Sequence, residues 1–124
     1  MTKETRPLSP HLSVYRWQVT NTLSIIHRIS GVILYFGALY LSLWIAAISF
    51  KGPFSDLIIV ALNHPVFKII LIGLSFVFFY HSLNGLRHLL WDIGKGFEPN
   101  QVRNSGIVVV ILSILMTILF WLAI

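Results

Sequence analysis

The sequence predicts an all-α membrane protein with three transmembrane helices, and three observations lead to that fold class. Hydrophobic residues make up 56% of the 124-residue chain and charged residues only 10%, whereas soluble domains carry about 25% charged residues. Three long apolar runs, 29–50, 69–86 and 104–124, contain no Asp, Glu, Lys or Arg. Each is close to the ~20 helical residues that cross a bilayer core, and open sheets cannot span lipid because their edges leave backbone groups unpaired.

We expect one membrane-anchor domain over residues 1–124, with spans at approximately 27–50, 65–92 and 104–124. The second apolar run is the shortest of the three. It reaches a comfortable spanning length if its helix begins near Pro65, because proline is favoured in the first turn of a helix.

The segments outside the spans carry signals for turns and extended chain. Pro7 and Pro10 in RPLSPHLSVY, residues 6–15, restrict their neighbours to extended backbone. This predicts an N-terminal strap along the inner membrane surface, with a disordered tail as the alternative. The loop at 52–64 begins with Gly-Pro and is expected to contain a turn and a helix start. The glycines of GKGF, residues 94–97, are expected to end the second helix.

The composition excludes several kinds of function for this chain alone. It contains no cysteine, so it cannot form disulfides or hold an iron–sulfur cluster through thiolates. It also lacks a nucleotide-binding glycine motif and has no room for a soluble domain. The net charge of +5 is attributed to loops on the cytoplasmic side rather than to nucleic-acid binding, because the chain is so apolar.

A polar stripe lies at the end of the second apolar run, in HSLNGLRHLLWD. His81, Asn84, Gly85 and His88 follow the spacing i, i+3, i+4 and i+7, which places them on one helix face. The two imidazoles lie roughly 10 Å apart along the axis, and that of His81 is the deeper. Ionisable groups within a membrane are costly and therefore functional candidates. The ordinary alternative is a histidine that bonds a carbonyl of a neighbouring helix.

A second polar stripe lies at the start of the first apolar run, in SIIHRISG. Ser24, His27, Arg28 and Gly31 have the same spacing and share one helix face. An arginine at a helix end commonly extends to lipid headgroups, so a simple interfacial anchor is the alternative for Arg28.

Together the two stripes match what a haem requires. The imidazole of His81 can bind the iron axially, and the small Gly85 leaves room for a porphyrin face. The propionates need cations or donors near the membrane surface, and four side chains are expected to supply them: His27, Arg28, Arg87 and His88. His64 lies at the opposite membrane edge and His11 in the strap, so a second axial ligand is expected from another chain or from a second copy of this one.

At these residues the chain resembles a known family. RPLSPHLSVY, SIIHRISG and HSLNGLRHLLWD, in this order and spacing, are similar to the cytochrome b556 membrane-anchor subunits of succinate dehydrogenase (respiratory complex II). The resemblance covers nearly the whole chain and implies one subunit of a larger helical bundle, not catalytic alone. It implies a second small anchor subunit that supplies the other haem ligand, and a flavoprotein and an iron–sulfur subunit on the inner face. Electrons would pass from succinate to ubiquinone.

The resemblance also implies roles for individual residues. Ser24, Arg28 and Asp92 would belong to a ubiquinone site. His81 would be an axial ligand of a single shared haem b, and His27 would contact a propionate. Two alternatives remain open, namely another membrane cytochrome b, which would normally need four deep histidines, and a haem-free structural anchor.

The distribution of lysine and arginine predicts the orientation in the membrane. Seven of these residues lie before the first apolar run or between the second and third runs, and two lie between the first and second runs. Loops rich in Lys and Arg stay inside, so the N-terminus is expected in the cytoplasm and the C-terminus outside. The absence of a presequence before RPLSPHL favours a bacterial inner membrane, with the mitochondrial inner membrane as the alternative.

Reporter fusions test this orientation. We predict that reporters fused at Ile124 and near Asp56 are active on the outer side, and that one near Lys95 is active on the inner side. The two outer positions are separated from the inner one by a single span each. A reporter at Ile124 on the inner side would contradict the count of three spans.

Overall fold

The computed structural model of the chain describes residues 11, 14–50 and 52–124. Four helices make up most of this part: α1 (Val19–Ser49), α2 (Pro53–Leu62), α3 (Pro65–Asp92) and α4 (Pro99–Ala123). Within the described residues no strand is present. The predicted N-terminal strap, 6–15, lies outside the described residues except for His11, Val14 and Tyr15.

Three of the helices, α1, α3 and α4, are long and apolar enough to cross a membrane, which confirms the predicted fold class. α3 has the predicted limits, whereas α1 and α4 begin at Val19 and Pro99, before the predicted spans at 27 and 104. A spanning helix can continue beyond the bilayer, so the limits of the spans themselves remain a prediction. Gly94 and Gly96, with φ of 76° and 81°, follow α3 in the left-handed conformation that ends helices.

The ten-residue helix α2 is an element that the sequence analysis did not foresee, since only a turn and a helix start were expected at 52–64. Pro53 stands in its first turn together with Asp56. Proline fits there because its missing N–H would be unpaired anyway, and a carboxylate is favourable near the positive end of the helix dipole. The helix is too short to span the bilayer, and it packs against α1.

α3 is the central helix of the bundle and packs against both α1 and α4. It runs antiparallel to α1, because Ser30 meets His81 near one end and Tyr40 meets Phe67 near the other. The Tyr80 hydroxyl donates a 2.9 Å hydrogen bond to the carbonyl oxygen of Leu23 and thereby joins α3 to α1. Such polar contacts matter here because lipid provides little hydrophobic drive for helices to associate.

Small residues allow the helices to approach one another closely, as is usual in membrane bundles. A Cβ added at Gly37 would lie 3.1 Å from the side chain of Leu74 on α3. A Cβ added at Gly106 on α4 would collide with the side chain of Leu23 on α1. Most of the remaining apolar surface faces outward. Only 6% of the most apolar 18-residue stretch of α1 is buried within the chain, and the same share holds for α3.

Candidate functional site

The two predicted polar stripes face each other and form a cluster of three imidazoles. The ring of His27 on α1 lies between those of His81 and His88 on α3, at centroid distances of 4.2 Å and 4.9 Å. The ring of His27 is tilted against that of His81, with an interplanar angle of 34°, and stacked on that of His88, with an angle of 29°. The described residues contain no group of three His, Asp or Glu side chains placed to hold a bare metal ion.

His81 is held against the backbone of α1 by two consecutive residues. Its Nδ1 lies 2.8 Å from the hydroxyl oxygen of Ser30. Next to Ser30, Gly31 leaves space for the ring because it has no side chain. A Cβ added there would lie 3.2 Å from Cε1 and 3.8 Å from Nδ1 of His81. A side chain at position 31 would therefore require the imidazole to shift by at least a few tenths of an ångström.

The imidazole of His27 lies against Gly85, the residue expected to leave space for a large flat ligand. A Cβ at Gly85 would stand 3.9 Å from Nε2 of His27. That nitrogen is buried, and it has no hydrogen-bond partner within the part of the chain that is described. A buried imidazole nitrogen without a partner carries a desolvation cost, so this atom is a candidate for a bond to a group outside the chain.

His88 and Asn84 form the lower part of the cluster on α3. Nδ1 of His88 lies 2.8 Å from the carbonyl oxygen of Asn84, and the ring of His88 is tilted against Trp91 at 5.0 Å. Asn84 is fully buried. Its Nδ2, like Nε2 of His27, lacks a partner among the described residues.

Arg87 faces α4 in this structure. Its Nε donates to the Ser105 hydroxyl at 2.9 Å and its Nη2 to the Val102 carbonyl at 2.8 Å, while Nη1 donates to Oδ1 of Asn84 at 3.3 Å. The guanidinium also stacks over the ring of Trp91 at 4.1 Å, and the residue is only 4% exposed. Every nitrogen of the guanidinium thus has a partner, and the bonds to Ser105 and Val102 tie α3 to α4.

Ser24, Arg28 and Asp92, the predicted quinone residues, lie at the same end of the bundle as the imidazoles. Ser24 is half-buried on α1, and Arg28 is exposed one turn further along the same helix. Asp92 is the exposed last residue of α3. The structure leaves all three accessible at an edge of the bundle.

Two residues of the site were missed in the sequence. Ser30 falls outside the stripe of Ser24, His27, Arg28 and Gly31, although its position three residues after His27 and next to a glycine was a usable signal. Ser105 lies at the polar start of the third apolar run, where no motif was found. Its contact with Arg87 depends on the packing of α4, which the sequence alone does not reveal.

A cavity of about 720 Å³ lies at the other end of the bundle. Its walls come from α1, α3 and α4 and are mainly leucine and aromatic side chains. The hydroxyl of Ser75 accepts a 3.2 Å hydrogen bond from the indole N–H of Trp121 in its wall. No histidine, aspartate or glutamate is among the described residues that line the cavity, so the histidine cluster remains the candidate site.

Comparisons with known proteins agree with the motifs. The family described as succinate dehydrogenase/fumarate reductase transmembrane subunit matches residues 2–120. The succinate dehydrogenase cytochrome b556 subunits of Rickettsia bellii and Rickettsia felis are 47% and 43% identical over 116 residues, which cover 94% of this chain and 90% of each relative. The mitochondrial succinate dehydrogenase cytochrome b560 subunit of Mus musculus is 40% identical over 118 residues, covering 92% of this chain and 69% of that relative. All of the matched regions are long enough to include the histidine cluster.

The contacts of Arg87 yield a prediction that separates helix packing from ligand binding. We expect Arg87→Lys to lower the stability of the purified protein by about 1–3 kcal/mol, because an ammonium cannot replace the forked bonds to Ser105 and Val102. The measurement is thermal unfolding in detergent, with Arg103→Lys on the exposed side of α4 as the matched control. Equal melting temperatures for the two variants would contradict the packing role.

Proposed function

The chain belongs to the family of succinate dehydrogenase/fumarate reductase transmembrane subunits, and we propose that it binds haem b and helps to form the site of ubiquinone reduction. As a member of this family it is a membrane anchor that works with the other succinate dehydrogenase subunits. It carries no cysteine and supplies no cluster of its own. Its contribution to electron transfer is therefore made at the membrane.

The proposed partners are a flavoprotein, an iron–sulfur subunit and a second small membrane anchor. Electrons from succinate reach ubiquinone through the iron–sulfur subunit, which sits at the end of the bundle that carries Ser24, Arg28 and Asp92. In this proposal the complex lies in a bacterial inner membrane with the N-terminus in the cytoplasm. The alternative is the mitochondrial inner membrane, and the name of the mouse relative describes that protein as mitochondrial.

The observation that carries the haem proposal is the environment of His81. Its imidazole is half-buried within a spanning helix, its Nδ1 already has a partner in Ser30, and Gly31 makes room for the ring. One ring nitrogen therefore remains for iron. Metal-bound histidines characteristically donate their other ring N–H to a nearby oxygen.

The residues around His81 fit the periphery of a haem. Nε2 of His27 is buried without a partner among the described residues and would donate to a propionate. Arg28 and His88 are the further donors in this proposal. Arg87 is the fourth proposed contact, although all three of its nitrogens are engaged with α4 and Asn84 in this chain.

One feature of the isolated chain must change when haem binds. The ring of His27 packs at a tilt against that of His81, with the ring centroids 4.2 Å apart, and its Nε2 lies beside Gly85, where the porphyrin face was expected. Rotation of the His27 side chain toward the membrane surface would uncover Gly85 and turn Nε2 toward a propionate. The second anchor subunit would supply the other haem ligand, so that a single haem would be shared between the two.

When bound, haem b supplies a one-electron redox group close to the quinone site. The quinone itself takes up two electrons and two protons on its way to quinol. The Ser24 hydroxyl donates a hydrogen bond to one quinone carbonyl. The guanidinium of Arg28, one helical turn away, stabilises the negative charge that develops on that oxygen.

Asp92 supplies the acid–base group of the proposed quinone site. Its carboxylate is exposed at the end of α3, where it can exchange protons with the aqueous phase. General acid–base groups must reach both the reacting oxygen and a source of protons. Because Asp92 lies at the membrane edge, water can serve as its source of protons.

The haem proposal predicts a difference between two histidines at opposite ends of α3. We expect His81→Ala to abolish or strongly alter the reduced-minus-oxidised spectrum of the complex purified with its partners. His64→Asn should leave that spectrum unchanged, because His64 only caps α3 through the amide of Val66 and asparagine preserves a cap. A wild-type complex without haem b would contradict the proposal and would favour a haem-free structural anchor.

The quinone proposal predicts a selective loss of activity in Ser24→Ala and Arg28→Lys. Each variant should assemble, since loss of the Ser24 hydroxyl costs about 1 kcal/mol or less. Each should reduce ubiquinone about tenfold more slowly, because the lost bond strengthens as charge develops. Lysine is a poor replacement where a planar fork of donors is needed.

Matched controls distinguish this role from anchoring. Succinate oxidation with an artificial acceptor that takes electrons from the soluble subunits should stay close to wild type in both variants. Ser42→Ala and Arg16→Lys change exposed residues of the same types and should have no effect. Wild-type quinone kinetics would contradict the proposal and indicate that Arg28 is an interfacial anchor. If both activities fell in parallel with the amount of assembled complex, the stripe with Ser24 and Arg28 would be a docking surface for the iron–sulfur subunit instead.

A further inference from the structure

Ser30 is almost fully buried, at 3% exposure, in the interface between α1 and α3. Its hydroxyl oxygen has two close neighbours. One is the carbonyl oxygen of His27, at 2.6 Å on the same helix. The other is Nδ1 of His81, at 2.8 Å on α3.

The number of hydrogens decides how these two contacts are made. A serine hydroxyl has one hydrogen to donate and two lone pairs to accept. The carbonyl of His27 can only accept, so the hydroxyl hydrogen must point to it; otherwise two oxygen lone pairs would face each other at 2.6 Å. The hydroxyl oxygen is then an acceptor toward His81, and Nδ1 of His81 must carry the hydrogen.

A neutral imidazole with its hydrogen on Nδ1 has a free lone pair on Nε2. We propose that Ser30 is a positioning residue that keeps His81 in this tautomer, with Nε2 available to the haem iron. This inference rests on the proposed function of His81 as axial ligand. The backbone of α1 thus sets the chemical state of a ligand carried by α3, through the carbonyl of His27.

The same contact affects the strength of the ligand. An imidazole that donates its N–H to an oxygen becomes a more basic ligand, and a more basic ligand favours ferric over ferrous iron. Gly31 keeps the ring in place, since a Cβ there would lie 3.2 Å from its Cε1. Ser30 and Gly31 therefore act as a pair, in which the first residue holds the nitrogen and the second leaves space for the ring.

Serines that bond a preceding carbonyl are common in helices, and this chain provides a matched example. The Ser42 hydroxyl donates to the carbonyl of Ala38 at 2.8 Å on the exposed side of α1, and within the described part of the chain it has no hydrogen bond to a histidine. If Ser30 did no more than bond its own helix, replacing either serine by alanine would have the same effect. The second contact of Ser30 predicts that the effects differ.

The test uses the complete complex purified with its partner subunits, carrying Ser30→Ala, Ser30→Thr or Ser42→Ala. The measurements are haem content, redox titration of the haem and the electron paramagnetic resonance spectrum of the oxidised haem. We expect Ser30→Ala to raise the midpoint potential, shift the resonance spectrum and weaken haem retention about tenfold or more. Ser30→Thr, which keeps a hydroxyl, should restore the wild-type values, and Ser42→Ala should not change them.

The outcomes separate this inference from the proposed function. If His81→Ala disrupts the haem but Ser30→Ala has the potential and resonance spectrum of the wild type, the role of Ser30 is wrong and the ligand assignment stands. If His81→Ala keeps the wild-type haem spectrum, the ligand assignment itself is wrong. Equal shifts in Ser30→Ala and Ser30→Thr would also overturn the inference, because they would reflect packing rather than the hydroxyl.

Ser30→Cys keeps the test decisive if the alanine variant does not assemble. Cysteine has a similar volume, but its sulfur is a weak hydrogen-bond acceptor. We expect the cysteine variant to raise the haem potential in the same direction as alanine. A wild-type potential in this variant would overturn the inference.

Discussion

The hydrogen bond between Ser30 on α1 and His81 on α3 fixes how the two helices of the site face each other. Helices in a bilayer gain little from burying apolar surface against one another, so polar contacts and small residues determine their register. Here both devices occur at adjacent positions, Ser30 and Gly31. They place the imidazole of His81 against α1 and bring His27 between His81 and His88.

A second face of α3 is held by polar contacts with α4. Arg87 is buried and bonded to two groups of α4, so α4 restrains the rotation of α3 about its axis while α1 packs on a neighbouring face. Buried Asn84 lies between the two sets of contacts and accepts a hydrogen bond from each: its backbone oxygen accepts from His88 and its side-chain oxygen accepts from Arg87. The site therefore depends on α4, although α4 contributes no residue to the imidazole cluster.

The sequence was sufficient for the three long helices and for the two polar stripes, because both follow directly from helical periodicity and the thickness of a bilayer. It did not reveal α2, since a ten-residue apolar segment between Gly52 and Asn63 is equally compatible with a loop. It placed Arg87 beside the stripe of His81 and His88, but could not show that its guanidinium points to α4. The direction of the Arg87 side chain, like the role of Ser30, depends on which helix packs on which face of α3. The sequence of a single chain with so much exposed apolar surface is compatible with several arrangements of its helices.

A structure of the assembled complex, at a resolution that shows side chains, tests the central claim most directly. The account predicts a haem between this chain and a second anchor subunit, with His81 on the iron through Nε2 and on Ser30 through Nδ1. It also predicts that His27 has turned away from Gly85 toward a propionate. An iron bound by other residues of this chain, or a complex without haem in which His27 still packs against His81, would contradict the account.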